Sequence, residues 1–175
     1  VYSQGTMLIP AGAGGTLQQK TFGDLTVDST GSFENYNGEA ITINGDLIND
    51  GYFVSDTGTY HFTSLNGIIG GDSVLTMFHV NIVGCYENHH SDLRLETFQS
   101  LPGACFKQMP GAALSFVDFP DTDDFWGTFT ADTAGNTVRH LGNGIVSSLI
   151  PSAGYFDFEI NKPSGRLDLV GDLVI

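Results

Sequence analysis

Apolar and polar residues alternate over much of this chain, and no segment keeps the period of an amphipathic helix. Alternation with period two predicts half-buried strands. The clearest run lies near the end. Phe156, Phe158 and Ile160 alternate with polar residues, Asn161-Lys162-Pro163-Ser164-Gly165 reads as a turn, and Leu167, Leu169, Leu173 and Ile175 resume the pattern. Proline presets one backbone dihedral and glycine tolerates a positive φ, so this insert is a turn with a mechanism. The final strand carries no polar cap, as expected of a chain cut inside a repeating architecture.

The same grammar runs through the first half. Leu25 and Val27 precede a turn over 28–31, Phe33 marks a strand ahead of Asn37-Gly38, and Ile41 and Ile43 lead into Gly45-Asp46-Leu47. Asn49-Asp50-Gly51 turns the chain into a strand over 52–55. Tyr60, Phe62 and Leu65 predict a strand before an Asn66-Gly67 turn. The stretch 74–83 predicts another, with Phe78, Val80 and Ile82 on one face. Asn-Gly and Asp-Gly corners are expected to supply left-handed backbone positions. Asp24 and Asp46 stand 22 residues apart, a spacing suited to one turn of a β-solenoid.

A longer repeat is also legible. Gly51-Tyr52-Phe53 returns at Gly127-Thr128-Phe129, Asn66-Gly67 at Asn143-Gly144, and Phe78 through Ile82 as Phe156 through Ile160, at offsets of 76, 77 and 78 residues. This divides the chain into a cap over 1–21, a first repeat over 22–84, an insertion or long loop over 85–125, and a second, truncated repeat over 126–175. The stretch from Cys85 to Pro110 breaks the pattern with both cysteines, two adjacent histidines and two prolines. A disulfide between Cys85 and Cys105 would pin it as a loop protruding from the repeat body.

The ordered set Gly45-Asp46-Leu47, Gly51-Tyr52-Phe53, Tyr60-His61-Phe62, Asn66-Gly67 and Ile68-Ile69-Gly70 resembles the β-solenoid repeats of large surface proteins from Bacteroidota. The run from Phe156 to Lys162 into Gly165-Arg166-Leu167 and Gly171-Asp172-Leu173 is similar to the junction between two such repeats. The likeness covers 22–83 and 127–175 and departs over 85–125. It implies an exported adhesin or surface filament, often a type IX secretion substrate, and it carries no catalytic residues. Val1-Tyr2-Ser3-Gln4 is similar to the end of a secretory signal peptide of that group.

Charge narrows the partners. Six basic residues against twenty acidic ones give a formal charge of −14. Nucleic acid and anionic membrane surfaces are poor partners for such a chain, because phosphate contacts need clustered Lys and Arg. No apolar run reaches the length of a membrane-spanning helix, so direct membrane insertion is not expected. An extracellular setting favours the disulfide over free thiols.

Few residues invite chemistry. Glu87, His89, His90 and Asp92 could ligate a metal, but adjacent side chains on a strand face opposite ways. A solvated loop tip is the simpler reading of Glu87-Asn88-His89-His90. No cofactor is expected, although Asp118, Asp121, Asp123 and Asp124 could offer oxygen ligands to calcium, with a spacing that is not that of an EF-hand. Trp126, with Phe125, Tyr155 and Tyr36, could stack on sugar rings, so Trp126, His89 and His90 form the candidate ligand-binding set. No serine elbow or phosphate loop is present.

The expectation is an all-β, right-handed parallel β-solenoid of rungs of roughly 20–25 residues, with a β-sandwich as the alternative. The expected function is structural and adhesive rather than enzymatic, on the outer face of a Gram-negative bacterium. Its expected partners are a surface or glycan ligand, or secretion and surface-assembly proteins. A secreted glycan-binding module and a polysaccharide-active β-helix enzyme are the competing readings.

Overall fold

The computed structural model describes residues 7–9, 21–35, 38–55, 57–117, 126–141 and 154–161. These form strands β1 (Met7–Ile9), β2 (Thr21–Phe22), β3 (Leu25–Val27), β4 (Ser32–Asn35), β5 (Ile41–Ile43), β6 (Leu47–Asn49), β7 (Tyr52–Ser55), β8 (Thr59–Phe62) and β9 (Gly67–Gly70). They continue with β10 (Leu75–Ile82), β11 (Cys85–Asn88), β12 (Leu93–Ser100), β13 (Cys105–Gln108), β14 (Ala113–Phe116), β15 (Thr128–Thr130), β16 (Thr137–His140) and β17 (Asp157–Ile160). The chain is an all-β solenoid of about six turns, without a helix among the described residues.

Three sheets make the walls. One is seven-stranded, in the order β1-β3-β6-β9-β11-β13-β15; one is eight-stranded, in the order β17-β16-β14-β12-β10-β8-β5-β2; and β4 pairs with β7. Every ladder between these strands is parallel. A β-sandwich is built from antiparallel sheets, so that alternative falls. The rung-to-rung step is 22 residues from Asp24 to Asp46, 20 from Cys85 to Cys105 and 18 from His79 to Thr97.

The eight-stranded sheet bends in the middle. Strands β10 and β12 share one burial pattern in which two consecutive residues, Phe78-His79 and Glu96-Thr97, both leave the core. The second half of β10 pairs with β8, while the first half of β12 pairs with β14. Each long strand thus crosses from one wall of the solenoid to the next. This shift of phase is why Phe78 and Val74 do not point inward as alternation through Val80 and Ile82 predicts. Leu75 and Met77 are buried instead, and Val74 is half exposed. Leu65 likewise leaves the predicted strand and stands 76% exposed at a corner.

The region 85–117 is not an insertion. Strand β11 pairs with β9 on one side and β13 on the other, and β12 sits between β10 and β14. Its rungs bury Tyr86, Leu93, Leu95, Phe98, Phe106, Leu114 and Phe116 in the common core. The 76-residue repeat also fails as a structural equivalence. Strand β7 lies in the two-stranded sheet, whereas β15 lies in the seven-stranded one. The match of Phe78 through Ile82 with Phe156 through Ile160 does fall on one sheet, although Phe156, just ahead of β17, and Ile160 within it are exposed. The proposed Asn143-Gly144 equivalence, Val1-Tyr2-Ser3-Gln4 and 162–175 lie outside the described residues.

Aromatic rings stack along the axis. Phe33 stacks on Phe53 with centroids 4.6 Å apart, Phe62 meets Tyr86 edge-on at 5.0 Å, and Phe98 meets Phe106 at 5.0 Å. Such pairs each add about 0.5–1.5 kcal/mol beyond burial. Of the expected left-handed corners, Gly38 has a positive φ of 65° but Gly51 and Gly67 do not, and the other positive values fall on Gly71, Gly103, Gly111 and Gly135. Gly67 is needed for closeness instead. A Cβ there would meet Cε1 of Tyr86 at 2.1 Å.

Candidate functional site

The sequence-predicted residues that gather in space do so on the outer surface of the seven-stranded sheet. Strands β11 and β13 pair Cys85 with Cys105 and Glu87 with Lys107, so both pairs face the same way, one strand period apart. The Cys85–Cys105 disulfide links neighbouring rungs across a Cα–Cα distance of 4.4 Å. Beside it Glu87 uses both oxygens: Oε2 lies 3.1 Å from His89 Nε2 and Oε1 lies 3.9 Å from Lys107 Nζ. All three side chains are close to half exposed, where ion pairs contribute at most about 1 kcal/mol. A shallow groove of about 420 Å³ runs over this patch, bounded by Leu65, Ile68, Glu87, Lys107 and the disulfide.

The floor of the groove is rigid because Tyr86 is. Its ring is buried over Gly67, and its hydroxyl donates toward the carbonyls of Ile43 and Gly45 at 3.0 and 2.9 Å while accepting from Ser64 N–H at 3.1 Å. Burial pushes the phenol up to about 12, so it stays protonated. Lys107 and Tyr86 were not legible as site residues. Once Cys85 and Cys105 are known to be paired neighbours, the positions two further on, 87 and 107, must share their face.

His90 is removed from the candidate ligand set. It is fully buried, its Nδ1 accepts from Asp92 N–H at 3.0 Å, and its Nε2 lies 2.7 Å from the Ser73 carbonyl. That arrangement fixes the neutral tautomer with the proton on Nε2, and desolvation holds the pKa below its ordinary value. Both nitrogens are thus occupied, Nδ1 by its own turn and Nε2 by the preceding rung. His89 faces outward, as opposite facing of neighbours requires. Asp92 is engaged by Arg94 through two hydrogen bonds of 2.9 and 2.7 Å, which hold its carboxyl below the usual range.

Inward polar groups form a second joint. Asn88 Nδ2 donates to Gln108 Oε1 at 2.9 Å, Asn88 Oδ1 accepts from His90 N–H at 3.0 Å, and Asn49 Nδ2 reaches the carbonyls of Ser73 and Val74. Among the described residues no three His, Cys, Asp or Glu side chains converge as a metal would need. The acidic corner Asp118, Asp121, Asp123 and Asp124 lies outside them, as do Tyr36 and Phe125. Tyr155 is buried against Phe129 and Phe158, so it belongs to the core. Trp126 stands 65% exposed just ahead of β15, whereas His89 follows the end of β11. No family model, curated protein or solved structure matches this chain.

Proposed function

We propose that this chain is a stiff, exported segment of a bacterial surface protein, which spaces and presents binding surface and carries out no chemistry of its own. The observation that carries the reading is the disulfide on the outer wall of an otherwise continuous solenoid. Cys85 and Cys105 join two rungs that are already in register, in a position where a reducing compartment would keep them as thiols. The unbroken inner columns support it too. Aromatic stacks and the Asn88–Gln108 joint tie successive rungs, which resists bending. The outer face of a Gram-negative cell, a surface or glycan ligand, and the machinery of secretion and surface assembly are the setting and partners proposed.

Labelling intact producing cells with antibodies against the native chain, together with thiol trapping before lysis, tests this. Surface labelling with both cysteines protected is expected. Labelling only after lysis, with both cysteines trapped as thiols, would overturn it.

A further inference from the structure

The bend in the eight-stranded sheet separates two outer surfaces of different chemistry. On the side of β14 and β16, one column runs Thr76, Arg94, Ser115, Arg139, Glu159 through directly paired positions and so holds two arginines and a glutamate, while Glu96 stands at the bend itself. On the other side the central column runs Thr21, Thr42, His61, Asn81, Gln99. Beside it stand Thr59, His79 and Thr97, with His79 Nδ1 at 2.6 Å from Thr97 Oγ1. Neither of these two columns contains Asp, Glu, Lys or Arg, in a chain of formal charge −14.

The third column of this wall turns apolar along the axis. Backbone bonds from Val83 N–H to Phe62, Leu101 N–H to Ile82 and Trp126 N–H to Ser100 set Val83, Leu101 and Trp126 in line. Their exposures are 37%, 46% and 65%. An uncharged wall of hydroxyl, imidazole and amide groups therefore lies alongside an exposed aliphatic and indole strip.

We propose that this wall binds an uncharged polysaccharide laid along the solenoid axis. Sugar rings have an apolar face and an equatorial belt of hydroxyls. Trp126, Leu101 and Val83 meet the first, while His61, Asn81 and Gln99 meet the second. Rungs repeat every 4.7–4.9 Å, about the advance of one pyranose ring in an extended glycan, so successive rings meet successive rungs. An anionic polymer is disfavoured, because the chain's negative charge repels it and this wall offers no Lys or Arg among the described residues. The inference names the ligand of the adhesive reading above, but it concerns the isolated chain. Cell labelling tests export, and binding by purified protein tests this wall, so either can fail alone.

The test is affinity electrophoresis and calorimetry of the purified chain with xyloglucan, mixed-linkage β-glucan, galactomannan and dextran, with polygalacturonate as the charged comparison. Binding to at least one neutral polymer, indifferent to salt, is expected. Trp126→Ala and Gln99→Glu should each weaken it at least tenfold with unchanged melting, and Lys107→Glu on the disulfide face should leave it unchanged. Failure to bind any neutral polymer overturns the proposal, as does binding that survives both wall variants or disappears with Lys107→Glu. Thermal hysteresis of ice growth without glycan binding would also overturn it, assigning the wall to ice.

Discussion

The two halves of the seven-stranded sheet close the same corner with different chemistry. In β3, β6 and β9 the strand is entered through Gly23-Asp24-Leu25, Gly45-Asp46-Leu47 and Gly67-Ile68-Ile69. Here each Asp reaches the next rung. Asp24 Oδ1 accepts from Asp46 N–H at 2.8 Å, and Asp46 Oδ1 accepts from Ile68 N–H at 2.8 Å. The preceding glycine is forced by that ladder, since a Cβ on Gly45 would meet Asp24 Oδ1 at 1.9 Å. In β11, β13 and β15 the glycine position holds Tyr86, Phe106 and Phe129, and the Asp position holds Glu87, Lys107 and Thr130. Rings fill the core where glycine left room, and a disulfide between Cys85 and Cys105 replaces the carboxylate ladder as the tie between rungs. A motif is thus one solution to a rung, and its loss over 85–117 does not mean that the rung is lost.

Substitutions can break the contrast at its seam, where Gly67 of the first kind lies under Tyr86 of the second. Gly67→Val should be the most damaging change. The Tyr86 ring has nowhere to go while its hydroxyl is held by Ile43, Gly45 and Ser64, so overpacking should cost more than about 3 kcal/mol in urea unfolding. A cost under about 1 kcal/mol would show that the two halves are not locked together there.

Removing the second tie comes next. The Cys85→Ser and Cys105→Ser double variant should lose about 3 kcal/mol, the chain-entropy value for a closed loop of this size, read as a lower midpoint in denaturant. An unchanged midpoint would mean that the ladder of paired rungs suffices without it. The first tie should matter less. Asp46→Ala leaves the Ile68 amide without its acceptor and should cost about 1–2 kcal/mol. Asp46→Asn, which keeps a carbonyl oxygen, should cost less than half of that. Equal losses from both would point to charge rather than the hydrogen bond.

The smallest effect is a pH dependence confined to the later half. His90 is held neutral, with its pKa lowered from the ordinary 6.5 by burial. Above that value neither the folded nor the unfolded chain protonates it, and stability is complete. As pH falls below it, the unfolded chain takes up a proton that the folded chain resists, so stability declines. His90→Gln should flatten the pH profile between the ordinary value and the lowered one. A profile identical to that of the parent would assign the acid sensitivity to the carboxylates instead.

Strand chemistry, the parallel solenoid and the rung length were determined locally and could be read from the residues alone. Alternation such as Ile41-Thr42-Ile43, glycine before aspartate, and the 22-residue return of Asp24 at Asp46 are properties of neighbouring residues and regular spacing. The pairing of Cys85 with Cys105 was legible because the chain has just these two cysteines, but their place on neighbouring rungs was not, since the broken pattern around them read as a protruding loop. The fate of each side chain at a corner was not. His89 and His90 are adjacent in sequence, yet one meets solvent and the other is enclosed by Ser73 and Asp92 from different rungs. Glycine at 67 looked like a turn residue, whereas a tyrosine 19 positions further on makes it necessary. Phe78 and Glu96 changed phase because two walls meet there, a feature of stacking that alternation cannot encode. The uncharged wall beside Trp126 arises in the same way, because its columns draw one residue from each rung and become neighbours only when the rungs are stacked in register.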